Sequence, residues 1–236
     1  EMKRGGIFDR NGSELAISVD TYTVSIYTRE LKSLTEAATN LASVLPVSRE
    51  EILAKIGDRS GYFSIYKDLE HNLAVKLEKM NIPGIVLESN YRRFYPQKSL
   101  AANLIGFTGT DKHGLEGIEL NLDKTLRGYP GLAVQENISL SNSGSSKMRI
   151  VSPPMGGSNV NLTIDTFIQH TLEAEIKKLA EKYDPIDISA IAIDPHTGEI
   201  LGMACFPGYD LNNFSESKPE QRRNRPITDS FEPGSC

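Results

Sequence analysis

The stretch RGGIFDRNGSELAISVD, Arg4 to Asp20, decides the fold, because it opens the chain with two extended runs around Asp9-Arg10-Asn11-Gly12. Asn-Gly suits the positive φ angles of a tight turn, so the stretch predicts a β-hairpin. Beyond it, Leu34, Ala37, Ala38, Leu41, Ala42 and Leu45 recur at the spacing of one helix face, from Ser33 to the stop at Pro46. Ser48-Arg-Glu-Glu51 has the form of a capping box and predicts a short helix to Ile56. Tyr62 to Tyr66 alternates like a strand, and His71 to Met80 carries Leu73, Leu77 and Met80 on one helical stripe. The expectation is a compact α/β module over about residues 25–90.

Two glycine-punctuated segments follow, RRFYPQKSLAANLIGFTG and HGLEGIELNLDKTLRGYPG, the second predicting a helix from about Leu115 to Leu126. Ser139 to Ser158 is rich in serine, glycine and proline; it reads as a flexible connection or an exposed hairpin, and the main domain boundary is placed there. Val160 to Ile164 predicts a strand and Thr166 to Lys182 a helix with Asp165 as its N-cap. In AIAIDPHTGEILGMACF, two apolar runs joined by Asp194-Pro-His-Thr-Gly198 predict a second hairpin. One helix on about three strands leaves a sheet face and an edge uncovered, as at the start of a larger domain.

The totals exclude several classes. With 39% hydrophobic residues in 236, the chain can build a substantial core. A net charge of −5 without long runs of either sign argues against a nucleic-acid partner. Cys205 and Cys236 are too few for a disulfide framework and lack zinc-site spacing. No run of 18 apolar residues exists, so the protein is soluble or any membrane segment precedes residue 1.

Four motifs, in order across the chain, resemble the class B penicillin-binding proteins, bacterial transpeptidases that cross-link peptidoglycan. RGGIFDRNGSELA, Arg4 to Ala16, is similar to the family's entry motif. Arg93-Phe-Tyr-Pro96 with the later AANLIGF is similar to its second motif, and Gly114-Leu-Glu-Gly117 with Glu119 and Leu126-Arg-Gly128 to its third. Arg223-Asn-Arg225 and Asp229-Ser-Phe-Glu-Pro-Gly-Ser235 resemble the approach to the active-site serine, in wording closest to the division-specific, septal branch.

The resemblance implies an α+β chain: an elongated N-terminal non-catalytic pedestal domain over 1–150 with an inserted α/β head at about 25–90, then over 151–236 the first strands and helix of a penicillin-binding/β-lactamase-like transpeptidase domain. It implies Ser235 as the nucleophile. A hydroxyl needs a base, and in S-x-x-K a lysine one helical turn on takes its proton. That lysine falls at position 238, so a polypeptide ending at Cys236 is expected to show neither transpeptidase activity nor covalent capture of penicillin. The partners implied are stem peptides ending in D-Ala-D-Ala, β-lactams, and other division membrane proteins including a glycosyltransferase. A single-pass anchor ahead of residue 1 in the bacterial inner membrane is implied, with the body in the periplasm. No metal or organic cofactor is implied. A non-enzymatic interaction module for division proteins is the alternative; a β-lactam sensor or an unrelated S-x-x-K hydrolase is disfavoured by the pedestal motifs.

Plainer readings stand beside these. Ser235 taken alone is a turn or cap serine, and Cys236 a neutral neighbour. Arg4, Arg93, Glu116 and Glu119 are expected to form bidentate Arg–Glu pairs that lock distant segments together rather than an acid/base site. His113 and His196 read as loop residues, and Asp194 as turn chemistry. The run Arg222-Arg223-Asn224-Arg225 reads as a solvated loop, or as a contact for anionic lipid headgroups or glycan.

Overall fold

The computed structural model describes residues 3–129, 132–137, 146–152 and 155–230. The chain divides into two compact units, one formed by 1–18 with 93–236 and the other by 19–92.

In the first unit, β1 (Ile7–Phe8) pairs antiparallel with the start of β2 (Glu14–Tyr27), setting Ile7 opposite Ala16. The hairpin forms as expected, but only Gly12 takes a positive φ, +85°. Asp9 shapes the turn instead: its Oδ1 accepts the amides of Asn11 (2.8 Å) and Ser13 (2.7 Å), so a side chain does the work expected of an Asn-Gly pair.

The second unit holds the remainder of β2, then α1 (Leu34–Ala42), α2 (Arg49–Ile56), β3 (Tyr62–Glu70), α3 (His71–Lys79) and most of β4 (Ile85–Phe94). β2 pairs with both β3 and β4. Helix α1 is capped by Ser33 and ends at Ala42, earlier than Pro46 suggests, because Ser43 to Leu45 close a turn onto Thr39, Asn40 and Leu41. The Ser48–Glu51 capping box is present with both of its hydrogen bonds. Val24, Ile26, Leu41, Ile52, Ile56, Leu69 and Leu77 form the core.

After β4 the chain returns to the first unit through α4 (Ala102–Ile105), α5 (Gly117–Asn121) and α6 (Asp123–Arg127). The single helix expected over Leu115–Leu126 is thus two. Glu116 is extended, Gly117 has φ +61°, and the path bends at Leu122, where Asp123 turns its carboxylate back to the Gly114 amide at 2.9 Å. β5 (Leu132–Asn137) and β6 (Ser146–Ser152) pair antiparallel; residues 138–145, most of them in the stretch expected to be a flexible connection or an exposed hairpin, lie outside those described.

β7 (Val160–Asn161), shorter than the expected strand, runs parallel to β1. α7 (Thr166–Tyr183) starts at Asp165, whose carboxylate accepts the amides of Phe167 and Ile168. β8 (Ile188–Ile193) and β9 (Ile200–Phe206) form the second hairpin, with Ala190 opposite Ala204. The Asp194 turn closes it: Oδ1 accepts the His196 amide and the backbone carbonyl accepts that of Gly198. α7 lies on β9 so closely that a Cβ on Gly202 would stand 2.7 Å from Leu172. Two short helices end the described chain, α8 (Pro219–Arg222) and α9 (Arg225–Thr228).

Candidate functional site

Ser235 and Cys236 lie outside the described residues, which reach the approach to them as far as Ser230. That approach is a knot of paired charges. Arg225 reaches Asp187 at 3.1 Å and Asp229 at 3.2 Å, and Arg223 reaches Asp229 at 2.7 Å. The Thr228 hydroxyl and the Arg223 and Arg225 guanidiniums hold the Asp229 carboxyl below the ordinary carboxylate range. Arg222 lies over the Phe107 ring at 5.5 Å and 3.9 Å from Glu116. All three arginines of the 222–225 run therefore face carboxylates of this same chain. The half-buried Cys205 thiol is pushed up by burial, which a hydrogen bond from the Arg225 backbone only partly offsets.

The expected Arg–Glu lock is present in a different form. Glu119, fully buried, accepts from Arg4 Nε at Oε2 and from Arg93 Nε at Oε1, each at 2.7 Å. One carboxylate is shared by two guanidiniums, and neither pair is bidentate. Arg4 also donates to the Glu119 carbonyl (2.7 Å) and to Asp123 Oδ1 (2.6 Å), while Arg93 donates to the Gly5 carbonyl (2.7 Å). Glu116 stands apart from this cluster and faces Arg222. Burial first, and the Glu119 charge next, push the Tyr95 hydroxyl far above its ordinary range. The cluster locks Gly5, Arg93 and the α5–α6 bend together. His113 sits at its rim, 3.3 Å from Asp123.

Sequence reasoning misses Asp123 and a second bridge. Asp9 Oδ2 accepts the Thr166 hydroxyl (2.6 Å) and amide (3.2 Å), tying the first hairpin to the start of α7. Burial pushes the Asp9 carboxyl up, but these bonds and the Ser13 and Asn11 amides outweigh it and hold it low. Among the described residues no group of three His, Cys, Asp or Glu is arranged to hold a metal ion.

The penicillin-binding protein dimerisation domain matches residues 1–162, and the penicillin-binding protein transpeptidase domain matches residues 188–236. The chain is 33% identical over 240 residues to the probable peptidoglycan D,D-transpeptidase PenA of Neisseria meningitidis, covering 99% of this chain and 41% of that protein. It is also 33% identical over 248 residues to the peptidoglycan D,D-transpeptidase FtsI of Escherichia coli K12, covering 98% of this chain and 40% of that one. The chain thus spans about two fifths of the length of these curated relatives. Its fold is similar to penicillin-binding protein 2X from Streptococcus thermophilus, with a TM-score of 0.69 and 24% identity over 90% of this chain and 35% of that one. With the dimerisation domain matching residues 1–162, more than half of the chain, and the transpeptidase domain matching 188–236 behind it, the chain belongs to the class B penicillin-binding proteins.

Proposed function

We propose that the protein carrying this chain is a septal peptidoglycan D,D-transpeptidase with Ser235 as its nucleophile. The observation that carries the reading is the order of the two family matches, 1–162 then 188–236, the second holding the Asp229–Ser235 approach. The Ser235 oxygen attacks the penultimate D-alanine carbonyl of a stem peptide. The peptide bond to the terminal D-alanine breaks, that residue leaves with the proton taken from serine, and a serine ester remains. An amine of a neighbouring stem then takes the acyl group and returns a proton to serine. A β-lactam acylates the same oxygen as its ring C–N bond opens, and because the freed amine stays tethered to the acyl group nothing departs and the ester persists.

The organisation we propose is a pedestal over 1–150 with its head at about 25–90, and the start of the transpeptidase domain over 151–236; the compact unit 19–92 supports the head. No helix among the described residues is long and apolar enough to cross a membrane, and we place the membrane anchor ahead of residue 1 and the body in the periplasm. Other division proteins are its proposed partners. Labelling of the intact protein with a fluorescent penicillin tests the chemistry. A one-to-one adduct that Ser235→Ala abolishes is expected, and labelling that survives in Ser235→Ala overturns the assignment.

A further inference from the structure

Within the unit 19–92 an open cavity of about 510 Å³ is lined by Asp20, Thr21 and Tyr22 of β2, Ser89 and Asn90 of β4, and His71 at the start of α3. A β-bulge shapes it. Between Tyr22, opposite Leu69, and Val24, opposite Tyr66, β3 carries one residue more than β2, and Asp68 there takes a φ of +59°. The Asp68 Oδ1 accepts the Thr21 hydroxyl at 3.4 Å, and just beyond it the chain enters α3 with His71 against Tyr22. The two rings lie 5.7 Å apart at 34°, with the Tyr22 hydroxyl 3.1 Å from His71 Nδ1, and form one wall.

The lining selects a ligand by its chemistry. The hydroxyls of Thr21 and Ser89 and the side-chain amide of Asn90 are of types that both donate and accept, and the lining residues include no lysine or arginine. With Nδ1 engaged by the phenol, the other ring nitrogen of His71 is left for a ligand: it donates where the phenol gives its proton to Nδ1, and accepts where Nδ1 holds the hydrogen. A ligand hydroxyl satisfies both forms, whereas an anion requires the donating form and a cation the accepting one. The Asp20 carboxylate in the lining, with Asp68 behind Thr21, also repels an anion. The rings of Tyr22 and His71 offer apolar bodies with polar tips, which suits the C–H face and hydroxyl edge of a saturated ring. The volume lies within the range of about 300–1,000 Å³ typical of small-molecule sites and leaves room for one or two pyranose rings.

We propose that this cavity binds a neutral sugar, with His71 Nε2 and the Ser89 hydroxyl on ligand hydroxyls and a ring face of the sugar against Tyr22. The lining lies wholly within 19–92, so the site stands whether or not Ser235 is the nucleophile.

Saturation-transfer difference NMR on the intact protein, with the neutral disaccharide N,N′-diacetylchitobiose as probe, tests this. Saturable binding with a Kd of about 1 mM is expected, weak because few apolar contacts close over the ligand. Ser89→Leu fills the cavity from an exposed position and should abolish the signal. His71→Ala removes both ring and Nε2 and should weaken binding about tenfold, the equivalent of roughly one net hydrogen bond, while His71→Phe keeps the ring alone and should fall between it and wild type. An unchanged Tm is expected in all three variants and separates lost binding from lost fold. Absence of a saturable signal up to about 20 mM overturns the proposal, as does binding that Ser89→Leu and His71→Ala leave at the wild-type level. Inorganic phosphate or trilysine that binds more tightly than the disaccharide, and is lost in Ser89→Leu, marks an ion site and also overturns it.

Discussion

The unit 19–92 and the body around Glu119 are built by different physics. The first is a sheet covered by helices on an aliphatic core, where Val24, Ile26, Leu41, Ile52 and Leu69 are almost fully buried and directional bonds are secondary. The second has an apolar core of its own around Ile7, Ile105 and Leu126, but threads its segments past one another at backbone contact and joins them with buried charge. The aliphatic unit should tolerate substitution in graded fashion. The charge-locked body should fail abruptly wherever a crossing or a shared carboxylate is touched.

The largest expected effect is at a crossing. A Cβ on Gly106 would stand 1.9 Å from the Glu116 carbonyl oxygen, at a φ of +71° that side chains rarely adopt. Gly106→Ala is expected to cost more than about 4 kcal/mol and to abolish soluble expression. Gly12→Ala is the control: its φ of +85° is equally unusual, but nothing lies within 4 Å of the added atom. It should cost only about 1 kcal/mol by urea unfolding. Equal losses at the two positions would remove the distinction between a crossing and a turn.

Next is Glu119→Gln, which keeps the shape and turns one acceptor oxygen into an NH2 group facing an arginine N–H. A buried guanidinium left without its partner predicts a loss of about 3–5 kcal/mol. Leu41→Ala should cost about 2–4 kcal/mol by leaving a cavity in the aliphatic core. Hydrogen exchange should then rise within 19–92 and stay unchanged at the amides of 93–127. A uniform rise along the chain would mean that the two units unfold as one.

The same contrast explains what could be read from the sequence. Helices α1, α2 and α3 are legible because a periodic apolar face and a local capping box are properties of neighbouring residues. The full reach of β2 is not, since Thr21, Thr23 and Ser25 are buried in it yet read as polar positions. The break at Leu122 is hidden because Ile118, Leu122 and Leu126 keep a helical period through it. That Arg4 and Arg93 belong with Glu119 is suggested by motif order, whereas their sharing of a single carboxylate, and the part Asp123 takes, depend on contacts between segments far apart in the chain. The assignment of Ser235 rests on resemblance, and the residue lies outside those described.

The smallest effect separates two kinds of carboxylate by the sign of their pH dependence. Asp9 and Asp123 are held below the ordinary value of 3.8, burial being outweighed by donated hydrogen bonds and, at Asp123, by Arg4. Such groups contribute stability that is present above the unfolded-state pKa and lost as pH falls through the folded one. Glu173 on α7 is the opposite case: burial raises it above 4.5, with the Gln169 side chain and the Ala101 amide, each donating to Oε1 at 2.7 Å, offsetting only part of that. The fold therefore favours its protonated form, and its contribution is fully present below pH 4.5 and lost as pH rises through its folded pKa. Glu173→Gln retains Oε1 for both donors and removes the charge. Its unfolding free energy should equal or exceed wild type at pH 7, with the advantage vanishing as pH falls below 4.5. A variant less stable than wild type at pH 7 would instead mark Glu173 as a working member of the charge lock, like Glu119.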